Sequence, residues 1–193
     1  MASTIWNRRM IVQSNLYIAV LDTCVLAPMP LCDTLLRLAE DPSIYIPKWS
    51  NDILRELRST LPRMGYTAAQ AERRINAMEA AFEDANVTGY EGLVGAMTND
   101  SKDRHVLAAA VRCGANAIIT SNAKHFPSES VRMYDINVLT PGDFLVQQFH
   151  QDQDLFAEKL VAQALARRVS LAELCSVLSK WAPNAVRLLL DLG

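Results

Sequence analysis

Three carboxylates and one amide stand where the elements around them could bring them together. Asp22 directly follows the apolar run Tyr17-Ile18-Ala19-Val20-Leu21, and Glu56 lies on the flank of the helical stripe Ile53, Leu57, Leu61. Asp103 starts a helical pattern, and Asn122 follows the triplet Ala117-Ile118-Ile119 and the pair Thr120-Ser121. Several carboxylates with neither a histidine pair nor a nucleophilic Ser or Cys suit a hard, oxygen-preferring divalent ion such as Mg²⁺ or Mn²⁺. Such an ion orients a water and stabilises the charge that grows on a phosphodiester during in-line attack.

The stretch from Asn99 to Pro127, NDSKDRHVLAAAVRCGANAIITSNAKHFP, organises the rest. It reads as a helix from Asp103 to Arg112, capped by Asp100 or Ser101, with Gly114 just past its end and a short strand after it. At 100° per residue Asp103 shares a face with Leu107 and Ala110, so its carboxylate is aimed inward. A buried carboxylate needs a cation or donors beside it. The plainer reading makes Asp100 and Asp103 a first-turn acidic cap worth about 1 kcal/mol.

Stepping along the chain, strand and helix patterns alternate. The run 17–21 has no in–out alternation, which suits a strand covered on both faces. A helix is expected over Ala27–Glu40, a strand at Ile44–Pro47, and a helix from the Ser50 cap to about Thr60. The capping box Thr67-x-x-Gln70 opens a longer helix to about Ala85, with Ala71, Ile75, Met78 and Phe82 as its core stripe. A weak strand is expected near Val131–Val138, and Thr140-Pro141-Gly142-Asp143 opens a further helix. Together these predict an α/β, three-layer fold with a mainly parallel central sheet. In such sheets the site lies off the carboxyl ends of the strands, which puts Asp22 and Ser121-Asn122 on one edge. From about Gln151 the pattern is helical: Leu155–Arg168, Ser170–Lys180 and Pro183–Leu192. The expected organisation is a leader at 1–16, one domain at 17–150 and a helical C-terminal extension at 151–193, packed on the domain, a second copy or a partner.

The chain has 193 residues and a net charge of −2, so bulk electrostatics give no support for nucleic-acid binding. No apolar run approaches the ~20 residues of a membrane span. The N-terminal residues show no signal-peptide pattern, so a cytoplasmic location is expected. Cys24, Cys32, Cys113 and Cys175 lack metal-binding spacing and read as buried free thiols.

Five segments resemble one known family. They are Val20–Leu26 (VLDTCVL), Trp49–Leu57 (WSNDILREL), Asp100–Ala110 (DSKDRHVLAAA), Ile118–Pro127 (IITSNAKHFP) and Leu139–Leu145 (LTPGDFL). In this order and spacing they resemble the PIN-domain ribonucleases, specifically the VapC-type toxins of bacterial toxin–antitoxin pairs, over roughly residues 17–147. The C-terminal helices look like those appended in one subgroup. The resemblance implies a PIN-like fold and a Mg²⁺- or Mn²⁺-dependent endoribonuclease acting on cellular RNA of the tRNA or rRNA class. It implies that Asp22 and Asp103 hold the metal and that Glu56 holds it or orients its water. The family's fourth acidic position is Asn122 here; an amide oxygen can ligate but adds no charge, and Asp100 or His125 are the other groups that could complete the site. An antitoxin partner and a homodimer are also implied.

Other marked residues have plainer readings. His105 is expected on the surface or in packing, His125 in a bland role after the strand with a phosphate contact as the alternative, and Trp6, Trp49 and Trp181 as packing residues. Thr23 and Ser121 are candidates to orient ligands. Competing functions are a housekeeping PIN nuclease of RNA processing, a non-catalytic PIN scaffold for assembly, and a phosphatase or phospho-acceptor domain. The last is disfavoured because Cys24 stands where the phosphatase signature wants a second acid.

Overall fold

Strand β1 (Tyr17–Leu21) lies at the centre of a five-stranded parallel sheet of order β3-β2-β1-β4-β5. The others are β2 (Tyr45–Ser50), β3 (Asn86–Val87), β4 (Ala117–Ile119) and β5 (Asn137–Leu139). The computed structural model describes residues 17–192, so the leader 1–16 and Trp6 lie outside the described residues. Val20 pairs with Lys48 on one side and Ile118 on the other. Ala19, Val20 and Leu21, like Ala117, Ile118 and Ile119, are fully buried at successive positions. Successive side chains point to opposite faces, so both faces of the central strands are covered, as the non-alternating runs predict. The strand order reverses between β1 and β4, which opens a crevice at their carboxyl ends.

The helices are α1 (Thr23–Leu26), α2 (Met29–Ala39), α3 (Asn51–Thr60), α4 (Ala68–Ala81) and α5 (Arg104–Cys113). They continue with α6 (Ser128–Val131), α7 (Pro141–Gln151), α8 (Gln153–Arg167), α9 (Leu171–Leu178) and α10 (Pro183–Leu190). The Ser50 cap, the Thr67/Gln70 and Ser170/Glu173 capping boxes and the Thr140 cap all form. Gly114 ends α5 at φ 63°, a left-handed conformation that glycine adopts without strain.

Several boundaries differ from the sequence reading. The helix expected over 27–40 starts two residues later, at Met29, after an extended Pro28 and with Pro30 in its first turn, and the short helix α1 before it was not expected. Helix α4 stops at Ala81, where Phe82 leaves the helical conformation (φ −134°, ψ 65°) with its ring edge to face on Trp49 at 6.0 Å. The expected strand at 131–138 is α6, a 3₁₀ turn at Arg132–Tyr134 and only then β5, since Asp135 takes a left-handed φ of 57°.

The C-terminal helices pack back onto the sheet domain and share its core. Phe156, Leu160, Leu174, Leu178 and Leu189 are buried with residues of β1 and α2 in one cluster. Polar groups register the contact. Thr34 Oγ1 donates to Gln163 Oε1 at 2.8 Å, with both residues fully buried, while Gln163 Nε2 reaches the Pro30 carbonyl at 3.0 Å. Lys159 Nζ donates to the Glu40 carbonyl at 3.0 Å. Gly142 lets α7 meet the loop before α10, for a Cβ there would lie 2.9 Å from the Trp181 carbonyl oxygen. Among the described residues no helix is long and apolar enough to cross a membrane.

Candidate metal centre

Asp22 leaves β1 with its backbone N–H still on the ladder, donating to the Ile119 carbonyl at 3.1 Å. The residue is 4% exposed, which makes an isolated charge there costly. Thr120 Oγ1 donates to Asp22 Oδ2 at 2.6 Å, and Cys24 Sγ donates to the same oxygen at 3.1 Å. Neither bond engages Oδ1. Burial first, and the Asp22 charge second, push the Cys24 thiol up to about 12. The thiol therefore stays protonated and acts as a donor.

Glu56 projects from the flank of α3. Its Oε2 accepts from Thr23 Oγ1 at 3.0 Å and its Oε1 lies 3.0 Å from His105 Nε2. Burial pushes the Glu56 carboxyl up, but the bond and charge of His105, with the Thr23 bond, outweigh it and leave the group below its ordinary value. Burial pushes His105 down in turn, and the bond and charge of Glu56, helped by Asp52 and Asp103, leave it above its ordinary value.

Asp103 sits one residue earlier than expected: it is the N-cap position of α5, yet its side chain makes no capping bond. Asp100 does not cap the helix either; its Oδ1 accepts from the Lys102 N–H at 3.0 Å, closing a local turn. The Asp103 carboxylate instead meets His125 Nδ1 at 2.6 Å through Oδ2. Burial, and the charges of Asp22 and Glu56, hold its carboxyl above the ordinary value although His125 pulls the other way. One oxygen or nitrogen from each of Asp100, Asp103 and His125 can be chosen so that all lie within 4.8 Å of one another.

Asn122 enters the cluster through its backbone, its N–H donating to Thr120 Oγ1 at 3.0 Å. Ser121 N–H donates to Cys24 Sγ at 3.1 Å. The fold thus brings together the ends of β1 and β4, the flank of α3 and the start of α5. Trp49, expected in packing, is fully buried. His105 and His125, expected in bland roles, each lie against one of the acids, and Thr120 was not singled out from sequence.

The donor set fits a divalent cation. Carboxylates with hydroxyl and thiol donors behind them are oxygen ligands of the hard type. Burial is the first cause of the raised Asp103 carboxyl, and the charges of Asp22 and Glu56 add to it; a cation between the acids would relieve that added repulsion. Among the described residues the potential ligand atoms that lie together are those of Asp100, Asp103 and His125, and Asp22 and Glu56 stand outside that group while acting on Asp103 by charge. A groove of about 480 Å³ between α2 and α4, lined by Leu36, Tyr66, Met78 and Phe82 among others, contains none of Asp22, Glu56 and Asp103.

The sequence matches the PIN domain over residues 18–124, more than half of the chain and a span that includes Asp22, Glu56, Asp103 and Asn122. The chain belongs to the PIN-domain family. A Mycobacterium tuberculosis (strain ATCC 25618 / H37Rv) protein named "Putative ribonuclease VapC50" is 42% identical to it over 109 residues, which is 56% of this chain. That alignment covers 60% of the relative's length. No solved structure matches the chain. The PIN match ends just before His125, so the His125–Asp103 contact brings in a residue beyond the matched segment.

Proposed function

We propose that this protein is a metal-dependent endoribonuclease, the toxin of a toxin–antitoxin pair, hydrolysing phosphodiester bonds of cellular RNA of the tRNA or rRNA class. What supports this reading is that Glu56 bonds both Thr23, next to Asp22, and His105, two residues after Asp103, and that the charges of Asp22 and Glu56 act on Asp103, all in a PIN-domain chain. Likeness to a protein named a ribonuclease adds to it. Asp22 and Asp103 hold Mg²⁺ or Mn²⁺, and Glu56 holds the ion or orients its water. Asn122 contributes an uncharged oxygen at the family's fourth position. When bound, the ion supplies Lewis acidity to the phosphodiester and a more acidic water. The chain's own part is to fix the carboxylates: Thr120 and Cys24 steady Asp22, and Thr23 and His105 steady Glu56.

The same reading takes residues 17–150 as the nuclease domain and 151–193 as its helical extension. It places the protein in the cytoplasm as a homodimer, with an antitoxin that blocks the acidic site. The test is cleavage of total RNA by purified protein with Mg²⁺ or Mn²⁺, against EDTA and against Asp22→Asn. Discrete fragments that vanish in both controls support it. Fragments that survive Asp22→Asn remove Asp22 from the site, and no cleavage by antitoxin-free protein in either metal removes the nuclease reading. Cleavage without growth arrest on expression in cells would favour a processing nuclease over a toxin.

A further inference from the structure

Glu56 reaches the site from the side of a helix on a long, flexible side chain that is 41% exposed. Such a side chain ordinarily samples several rotamers. Here both oxygens have a partner at 3.0 Å: Oε1 has His105 Nε2, and Oε2 has Thr23 Oγ1, whose one proton is shared with the Ile53 carbonyl at 3.1 Å. The two donors come from beside the other two acids. Thr23 directly follows Asp22, and His105 lies two residues after Asp103 in the first turn of α5. Glu56 is therefore tied to both segments that carry its partner acids.

The bonding of the His105 ring leaves little choice of role. An ionised carboxylate only accepts, so Nε2 carries the proton of this bond. The other nitrogen, Nδ1, is buried and has no hydrogen-bond partner among the described residues. The side chain is only 12% exposed, so the Glu56 bond is the ring's polar engagement with the rest of the fold. A surface histidine would show neither feature, and a packing histidine would have no reason to aim Nε2 at an acid of the cluster.

We infer that His105 is a positioning residue for the metal centre: its Nε2–H bond to Glu56 holds that carboxylate in place relative to Asp22 and Asp103. The inference rests on the reading of Glu56 as part of a metal site. Partners that orient a ligand in this way are typically worth roughly 10–100-fold in metal affinity.

The experiment is Mn²⁺ binding to the metal-free full chain, followed by calorimetry without RNA, alongside thermal unfolding. His105→Leu fills the ring's volume without a donor, whereas His105→Gln restores an N–H donor near Nε2. The expected result is a loss of roughly 10–100-fold in Mn²⁺ affinity for His105→Leu, with most of it regained in His105→Gln. In a Glu56→Ala background, His105→Leu is expected to cost little more. Unchanged affinity in His105→Leu, an equal loss with and without Glu56, or a wild-type chain that binds no Mn²⁺ would each overturn the inference. Ring ¹⁵N shifts of the wild-type protein provide a check without mutation, since a bare Nε2 on His105 also overturns it. RNA cleavage is scored separately. The expected binding pattern without any cleavage would sink the nuclease reading alone, and metal-dependent cleavage with His105→Leu affinity unchanged would sink this inference alone.

Discussion

Thr120 Oγ1 donates to Asp22 Oδ2 at 2.6 Å, and that bond joins the carboxyl ends of β1 and β4 across the point where the strand order reverses. Thr120 is fully buried and also accepts the Asn122 N–H, so one hydroxyl orients an acid and the loop beyond it. Thr120→Val keeps the shape and removes the bond. Because bonds to a charged group contribute about 1.5–3 kcal/mol, and the vacated oxygen is buried, the variant should be measurably less stable. Its Mn²⁺ requirement for RNA cleavage should rise by roughly 10–100-fold. A Mn²⁺ titration of cleavage that superimposes on wild type would show that the hydroxyl is not orienting Asp22.

Asp103 bears on stability with a definite sign. Its folded carboxyl sits above the ordinary value, so the fold favours its protonated form. That contribution is present below the unfolded pKa of about 3.9 and is lost as pH rises through the higher folded pKa. At neutral pH without metal, Asp103→Asn should therefore melt at or above the wild-type temperature, and its advantage should shrink toward pH 4. Added Mn²⁺ should reverse the order, because a ligand bound only by the folded state at 100 times its Kd adds about 2.7 kcal/mol. Melting curves at two pH values, with Mn²⁺ and with EDTA, read this directly; an apo variant well below wild type at pH 7 contradicts it.

Cys24 should be chemically quiet despite its place in the site. With its thiol pushed up to about 12, the thiolate fraction at pH 8 is on the order of 1 in 10,000. Intact-mass measurement after brief iodoacetamide treatment at pH 8 should show no adduct on Cys24 in the native protein. All four cysteines should label after denaturation. Fast native labelling of Cys24 would mean that its bond to Asp22 is broken in solution.

Gly142→Ala tests the seat of the last helix. The added methyl would stand 2.9 Å from the Trp181 carbonyl oxygen, a backbone atom that cannot swing aside. Overpacking of this kind costs about 1–3 kcal/mol, which corresponds to a melting temperature lower by roughly 2–10 °C for a chain of this size. Hydrogen exchange should quicken in α10 before it does in β1. An unchanged melting temperature would show that α7 and α10 can part at no cost.

How much of this was legible in the sequence depended on how local the cause was. The caps at Ser50, Thr67 and Thr140 depend on residues three positions apart, and each forms where the sequence places it. The parallel sheet followed from apolar runs such as Tyr17–Leu21, whose lack of alternation already implied two covered faces. Residues 131–138 misled because Val131, Ile136 and Val138 look strand-like while Asp135 takes a left-handed turn between them. The expected surface or packing role for His105 has the same kind of origin. A helical wheel places it away from Asp103, but not against Glu56, because that needs the docking of α3 on α5. Thr120 carries no local signal of its role because its partner Asp22 is 98 residues away in the chain.

The buried Thr34–Gln163 bond joins positions 129 residues apart, and that separation sets an order of events during synthesis. A ribosome delivers Asp22, Glu56, Asp103 and His125 before it makes Gln163. Until then Thr34 and the apolar side of α2 have no cover from α8. A nascent chain holding every acid of the cluster is thus still unsealed, and closing so long a loop is a late step in folding. Ribosome-stalled chains ending near residue 150 should accordingly be cut by protease within α2, and longer ones that have released α8 and α9 from the exit tunnel should resist.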